Sequence, residues 1–131
     1  MYLIDTDIII YSLKGVTSVT KNFELHADAP KAISVISYGE LVYGAHKSMQ
    51  VSSNLAKVNR IKEIFPIIEL SPSIMDCFGL LKAQLSKNGI TVDDFDLLIG
   101  ATAISYGYTI VTNNEKHFSK IPELTIENWN Q

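Results

Sequence analysis

Tyr2-Leu3-Ile4-Asp5-Thr6-Asp7-Ile8-Ile9-Ile10 is the stretch whose reading decides the fold. An apolar run too short for a helix stops at a polar triplet, and a second apolar run resumes at once. That pattern reads as a strand, an acidic turn and a helix over residues 7–14. The alternation continues to the end of the chain. Short β-branched runs predict strands at 2–4, 32–36, 66–70, 108–111 and 124–126, and 3.6-residue periodicity predicts helices at 19–26, 38–48, 51–65, 73–87 and 93–107. Strand alternating with helix implies an α/β sandwich: a parallel sheet with helices on both faces.

The composition agrees with one densely cored domain spanning residues 1–131. Of the 131 residues, 47% are hydrophobic and 19% charged, which excludes a disordered tail or a linker. No apolar stretch approaches the roughly 18 residues of a membrane span, and Asp5 and Asp7 stand where a secretory signal needs basic residues. A cytoplasmic protein without a membrane segment is expected. Cys77 is the sole cysteine, so an internal disulfide and a thiolate zinc cluster are both excluded, and its helical spacing with Ile74, Phe78, Leu81 and Leu85 makes it a small core residue. The net charge is −3 and Arg60 is the only arginine, so any nucleic acid must meet a local basic patch rather than a broad positive field.

In parallel α/β sheets, ligands sit beyond the carboxyl ends of the strands, and polar residues gather there. Asp5 closes the first strand, where it also suits a helix N-cap. Glu40 follows the second strand in Ser37-Tyr38-Gly39-Glu40, a sequence with capping-box spacing. Asp93, Asp94 and Asp96 crowd a helix start, where acids complement the helix dipole, and Thr91 with Asp94 has capping-box spacing. Asp96 lies beyond capping reach. It shares a helical stripe with Gly100, Ala103 and Gly107, while Leu97, Leu98, Ala101 and Ile104 form the neighbouring core stripe. Val111-Thr112-Asn113-Asn114 ends the fourth strand in hydrogen-bonding side chains. Carboxylates about 5 Å apart repel by roughly 3 kcal/mol per pair at an effective dielectric of 20. An acidic cluster of this kind therefore calls for a cation, and oxygen-only donors suit Mg²⁺ or Mn²⁺.

With Asp5, Glu40, Asp96 and the Thr112-Asn113-Asn114 turn in place, the sequence resembles the PIN-domain ribonucleases, in particular the VapC toxins of toxin–antitoxin pairs. The segments that carry the likeness are residues 2–7, 33–37 through 40–45, 95–99, 111–118 and the closing Glu127-Asn128-Trp129. The resemblance implies a PIN-like three-layer sandwich with strand order 3-2-1-4-5, in which Asp5 and residues 112–114 meet at the switch point. It implies a Mg²⁺-dependent endoribonuclease in which Asp5, Glu40 and Asp96 bind the metal, Asn114 takes part in catalysis, and Thr112 and Asp7 support the site. The products implied are a 5′-phosphate and a 3′-hydroxyl. A VapB-type antitoxin whose terminal segment covers the site, an RNA substrate and a homodimer are implied as partners. Three positions depart from the family pattern: Asp7 replaces a frequent Asn, Asn114 replaces a carboxylate found in some relatives, and Gly100 replaces the usual Ala.

Other chemistries compete less well. Asp5-Thr6-Asp7 after a strand also looks like the signature of haloacid-dehalogenase-like phosphatases, with Asp5 as nucleophile, but a lysine after a later strand and a cap domain are missing. A non-catalytic module that binds metal or a partner is the third reading. His26, His46 and His117 lack the spacing of a zinc site, although His117 lies near the site turn. Tyr11, Tyr38 and Tyr43 are candidates for base stacking. The helix at 51–65 carries an apolar stripe of Leu55, Val58, Ile61 and Phe65 opposed by Lys57 and Arg60, and is expected to help bind the antitoxin.

Overall fold

A computed structural model describes residues 1–131. The elements run β1 (Tyr2–Ile4), α1 (Thr6–Leu13), α2 (Thr17–Leu25), β2 (Lys31–Ser34), α3 (Val35–Lys47), α4 (Val51–Ile64), β3 (Ile67–Ile68), α5 (Pro72–Lys87), α6 (Asp94–Tyr106), β4 (Thr109–Val111), α7 (Glu115–Phe118) and β5 (Ile126–Glu127). The strands form one sheet in the order β3-β2-β1-β4-β5, and every neighbouring pair is parallel. Both the α/β class and the strand order agree with expectation.

Side-chain alternation along the short strands divides the core in two. Leu3, Ala32 and Ile110 lie side by side in the register and pack with Ile74, Leu81 and Leu85 of α5, Leu97 to Ala103 of α6, and Phe118 of α7. Their chain neighbours Ile4, Ile33 and Val111 face the other way and pack with Ile8, Ile9, Val19, Leu41, Ala45, Val58 and Ile61 from α1 to α4, together with Trp129. A strand period of two therefore feeds two separate apolar layers, and burial on both faces holds β1 rigidly at the centre.

Several boundaries move for identifiable reasons. The second strand ends at Ser34 because that residue already caps α3, its Oγ accepting from Ile36 N–H at 3.1 Å. The capping box proposed for Ser37 and Glu40 therefore does not form. Both residues lie inside α3, Ser37 is fully buried, and its Oγ has no hydrogen-bond partner. Asp93 caps α6 by accepting from Phe95 N–H at 3.1 Å, in place of the Thr91–Asp94 box. Asp94 instead reaches Lys82 at 2.9 Å in the open.

α6 is not two-faced. Ile99, Gly100, Ala101, Thr102 and Ala103 are consecutive and all buried, so the separate small stripe and core stripe merge into a helix enclosed all round. A Cβ on Gly100 would stand 2.8 Å from Ile121 Cδ1. The room left by this glycine is thus already filled by Ile121. α6 ends at Gly107 with φ +68°, a left-handed C-cap that a side chain would strain. The apolar stripe on α4 is likewise spent on the core: Val58 and Ile61 are buried in it and Leu55 and Phe65 pack against it.

Candidate active site

Asp5 stands one residue past β1, and the sheet itself holds it there, because its N–H continues the β1–β4 ladder to Val111 carbonyl at 2.9 Å. Its backbone is extended, and its Oδ1 accepts from Thr6 N–H at 2.9 Å as the N-cap of α1. Oδ2 accepts from the Thr112 hydroxyl at 2.8 Å, and that oxygen in turn accepts from Asn114 N–H at 2.9 Å. Thr112 thus ties the ends of β1 and β4 together through a fully buried side chain. Cap and site residue are the same group at Asp5.

Glu40 arrives from α3, and the Thr6 hydroxyl donates to its Oε1 at 2.8 Å. Asp7, in the first turn of α1, accepts Asn113 N–H at 3.1 Å on Oδ2, while its Oδ1 is buried with no hydrogen-bond partner. Asp96 projects from the first turn of α6, its Oδ2 lying 3.4 Å from His117 Nδ1. That nitrogen also lies 2.9 Å from Asn114 Nδ2. The two contacts compete, because a proton on Nδ1 serves Asp96 and a lone pair there serves Asn114. Asn114 is therefore turned to His117 rather than to an acid.

All four acids hold protons more tightly than isolated carboxylates. Burial raises Asp5 to about 7, with the Asp7 charge adding to it and the Thr112 and Thr6 donors opposing. Burial also raises Asp7, and the Asp96 charge reinforces the effect. Glu40 is raised by burial and by the charges of Asp96, Asp93 and Asp7. Asp96 is raised by burial and by Asp93, against the pull of His117. Asp5, Asp7 and Glu40 each feel the charge of Asp96, so the sequence-predicted Asp5, Glu40 and Asp96 share one electrostatic neighbourhood with Asp7. No group of three His, Cys, Asp or Glu side chains is drawn tightly enough to surround a metal ion in this structure. The donor set nevertheless fits a hard divalent cation: it is all oxygen, its charges repel, and the buried Asp7 Oδ1 lacks any donor.

The sequence does not reveal the Thr6 hydroxyl bridge to Glu40. Nor does it reveal the Asn113 amide on Asp7. Both link residues far apart in the chain, and only the choice of a hydroxyl between two aspartates hinted at the first. Phe95 carries no site signal of its own in the sequence. It is exposed and lines a hollow with Thr6, Gly39, Glu40 and Tyr43. Both Asp5 oxygens are already engaged in hydrogen bonds, which gives no support to Asp5 as a nucleophile on phosphate.

Comparison with known proteins agrees with this architecture. A family model described as PIN domain matches residues 2–124. The chain is similar to a Rickettsia felis protein named ribonuclease VapC2, with 37% identity and coverage of 100% of this chain and 99% of the relative. It is also similar to the Shigella flexneri tRNA(fMet)-specific endonuclease VapC, at 32% identity over 98% of this chain and 97% of the relative. Among solved structures, VapBC2 from Rickettsia felis bound to a promoter DNA fragment superposes with a TM-score of 0.91 at 37% identity, covering 98% of each chain.

Proposed function

The chain belongs to the PIN-domain family, and from that premise we propose that it is a metal-dependent endoribonuclease, the toxin of a VapBC-type toxin–antitoxin pair. The observation that carries the chemistry is the gathering of Asp5, Asp7, Glu40 and Asp96 at the carboxyl end of β1, every one of them with its proton affinity raised. An isolated protein gains nothing from that repulsion, whereas a phosphodiesterase that recruits a divalent cation uses it.

Asp5, Glu40 and Asp96 would hold the cation, with Mg²⁺ the expected ion and Mn²⁺ a substitute. When bound, such an ion supplies Lewis acidity toward the scissile phosphate and acidifies water. The chain does the rest. Thr6 fixes the Glu40 carboxylate and Thr112 fixes that of Asp5, so neither must be ordered when substrate arrives. Asp7 adds a fourth negative oxygen donor, held by the Asn113 amide. Asn114 and His117 form a hydrogen-bonding rim beside Asp96, suited to orienting a water or a phosphate oxygen. RNA is the substrate in this reading, in line with relatives named as ribonucleases and as a tRNA(fMet)-specific endonuclease. An antitoxin partner is supported by solved relatives that are VapBC complexes. A homodimer and a cytoplasmic location complete the proposal, and no helix is long and apolar enough to cross a membrane.

The test is direct. Purified protein is incubated with tRNA(fMet), other structured RNAs and unstructured RNA, in Mg²⁺, Mn²⁺ or EDTA. Cleavage in either metal, lost in EDTA and lost in Asp96→Asn, is the expected result. Cleavage that persists in EDTA or in the variant would overturn the metal-site reading, and no cleavage of any RNA would overturn the nuclease reading.

A further inference from the structure

Beside Glu40 the surface opens into a hollow of about 600 Å³ lined by Thr6, Ile36, Gly39, Glu40, Tyr43 and Phe95. Two of its walls are aromatic rings that the core does not use: Tyr43 is 65% exposed and Phe95 52% exposed. Exposed rings at this density beside an acid cluster call for a reason, since the apolar layers on either face of the sheet are complete without them. Neither ring has an aromatic partner in the fold, whereas Tyr2, Phe23, His26 and Trp129 pack among themselves, edge-to-face or stacked.

We propose that Phe95 and Tyr43 form a stacking platform for an unpaired nucleobase of the RNA, adjacent to the phosphate that is cut. This rests on the endoribonuclease reading and adds to it a subsite and a substrate form. The hollow shares Thr6 and Glu40 with the acid site, so a nucleotide whose phosphate lies against the acids carries its base toward this wall. The hollow's size falls within the range of small-ligand sites. A flat apolar wall beside a polar site suits a base, which offers a π-face for stacking whatever its identity. Lys47 Nζ stands 5.7 Å from the centre of the Tyr43 ring and adds a positive charge beside this wall. Gly39 forms part of the floor, and a Cβ there would meet nothing within 4 Å. In the middle of a helix, glycine costs about 1 kcal/mol relative to alanine. Its effect here is to leave the hollow open. A base can enter only when it is unstacked, so the platform selects single-stranded loops over duplex.

The experiment uses single-stranded RNA oligonucleotides carrying one 2-aminopurine, moved base by base along the strand, and full-length protein in Ca²⁺ so that binding is read without turnover. One position should be quenched on binding to the wild type. In Phe95→Ala that quenching should disappear and Kd should rise about 10-fold or more, as expected for loss of one base–aromatic stack. Phe95→Tyr should restore both. Gly39→Leu fills the hollow without backbone strain and favours the helix, so it should weaken binding while raising the melting temperature. Phe95→Ala that binds RNA as the wild type does, with the same quenching profile, overturns the platform. So does Phe95→Ala that loses affinity for a partner protein while RNA binding stays intact. Wild-type cleavage of the same strands in Mg²⁺ is run in parallel. If the wild type cuts them and only the quenching prediction fails, the platform alone falls. If the wild type neither binds nor cuts them, both readings fall.

Discussion

Replacing Asp5 by asparagine should stabilise the metal-free protein at alkaline pH and destabilise it at acid pH. The Asp5 carboxyl is 6% exposed and is raised from 3.8 to about 7, first by burial and then by Asp7. Each tenfold change in proton affinity is worth ~1.4 kcal/mol, so the ionised folded state forgoes about 4 kcal/mol at most relative to the unfolded chain. The sign follows from proton counting. Between about pH 4 and pH 7 the folded protein retains a proton that the unfolded chain has lost, so stability falls as pH rises through that window and levels off above it.

Asparagine removes this charge but keeps the shape and the cap. Its oxygen can still accept Thr6 N–H, and asparagine caps helices as well as aspartate does. What it loses is the acceptor for the Thr112 hydroxyl, a bond of 2.8 Å, at about 1 kcal/mol. The net at pH 8 is a gain of up to about 3 kcal/mol, or roughly 10 °C in Tm for a domain of this size. At pH 4 only the lost hydrogen bond remains, and the variant should melt a few degrees below the wild type. Calorimetry or circular-dichroism melts in EDTA across pH 4 to 9 would show the crossing. A variant less stable than wild type by the same amount at both ends would refute the claim that Asp5 is a strained, buried acid.

Saturating Mg²⁺ should raise the wild-type Tm at pH 8, by about 2.7 kcal/mol of stability at 100 times Kd, and should do so less at pH 5, where the ion must displace protons; Asp5→Asn should show little of either effect. Glu40→Gln should lower cleavage by more than the ~10–100-fold typical of an outer-shell change, while the melting temperature stays close to that of wild type because Glu40 is only half-buried. Ser37→Ala should stabilise by about 1 kcal/mol, because it removes a buried hydroxyl without a partner, and chemical denaturation would measure this. Asp94→Ala should leave the cleavage rate unchanged and cost less than ~1 kcal/mol, since its bond to Lys82 is more than half exposed on both sides.

The architecture was legible in the sequence because the sheet is buried on both faces, and such strands must read as short apolar runs interrupted at their carboxyl ends. Asp5, Asp96 and Thr112 stood out as polar groups that local capping accounted for incompletely. Helix starts were less legible. Ser34 and Ser37 are both plausible caps in isolation, and only the burial of Ile33 and Ser34 in the sheet shows which one turns the chain. Thr91, Asp93 and Asp94 pose the same problem, settled by Asp93 Oδ2 reaching Phe95 N–H. α7 is four residues long, too brief for a periodic signal, yet it delivers His117 to Asp96. Links such as Thr6 to Glu40, separated by 34 positions, and Asp5 to Thr112, separated by 107, depend on tertiary geometry that no local pattern encodes.

Those long links explain how the fold tolerates a self-repelling site. Asp5 is at once the N-cap of α1, an extension of the β1–β4 ladder and an acid of the cluster, so it cannot swing away from its neighbours without breaking backbone hydrogen bonds on both sides. Thr112 closes the other flank from within the buried layer. The strain is therefore held by the parts of the molecule least able to relax, between two apolar layers that meet at the central strand. Glu40 and Asp96 reach the site from helix surfaces and are only half-buried, Glu40 held by the Thr6 hydroxyl and Asp96 beside His117. Two carboxylates held at the start of α1 and two brought by α3 and α6 thus repel one another from elements that the core keeps in place, an arrangement that the proposed cation would relieve.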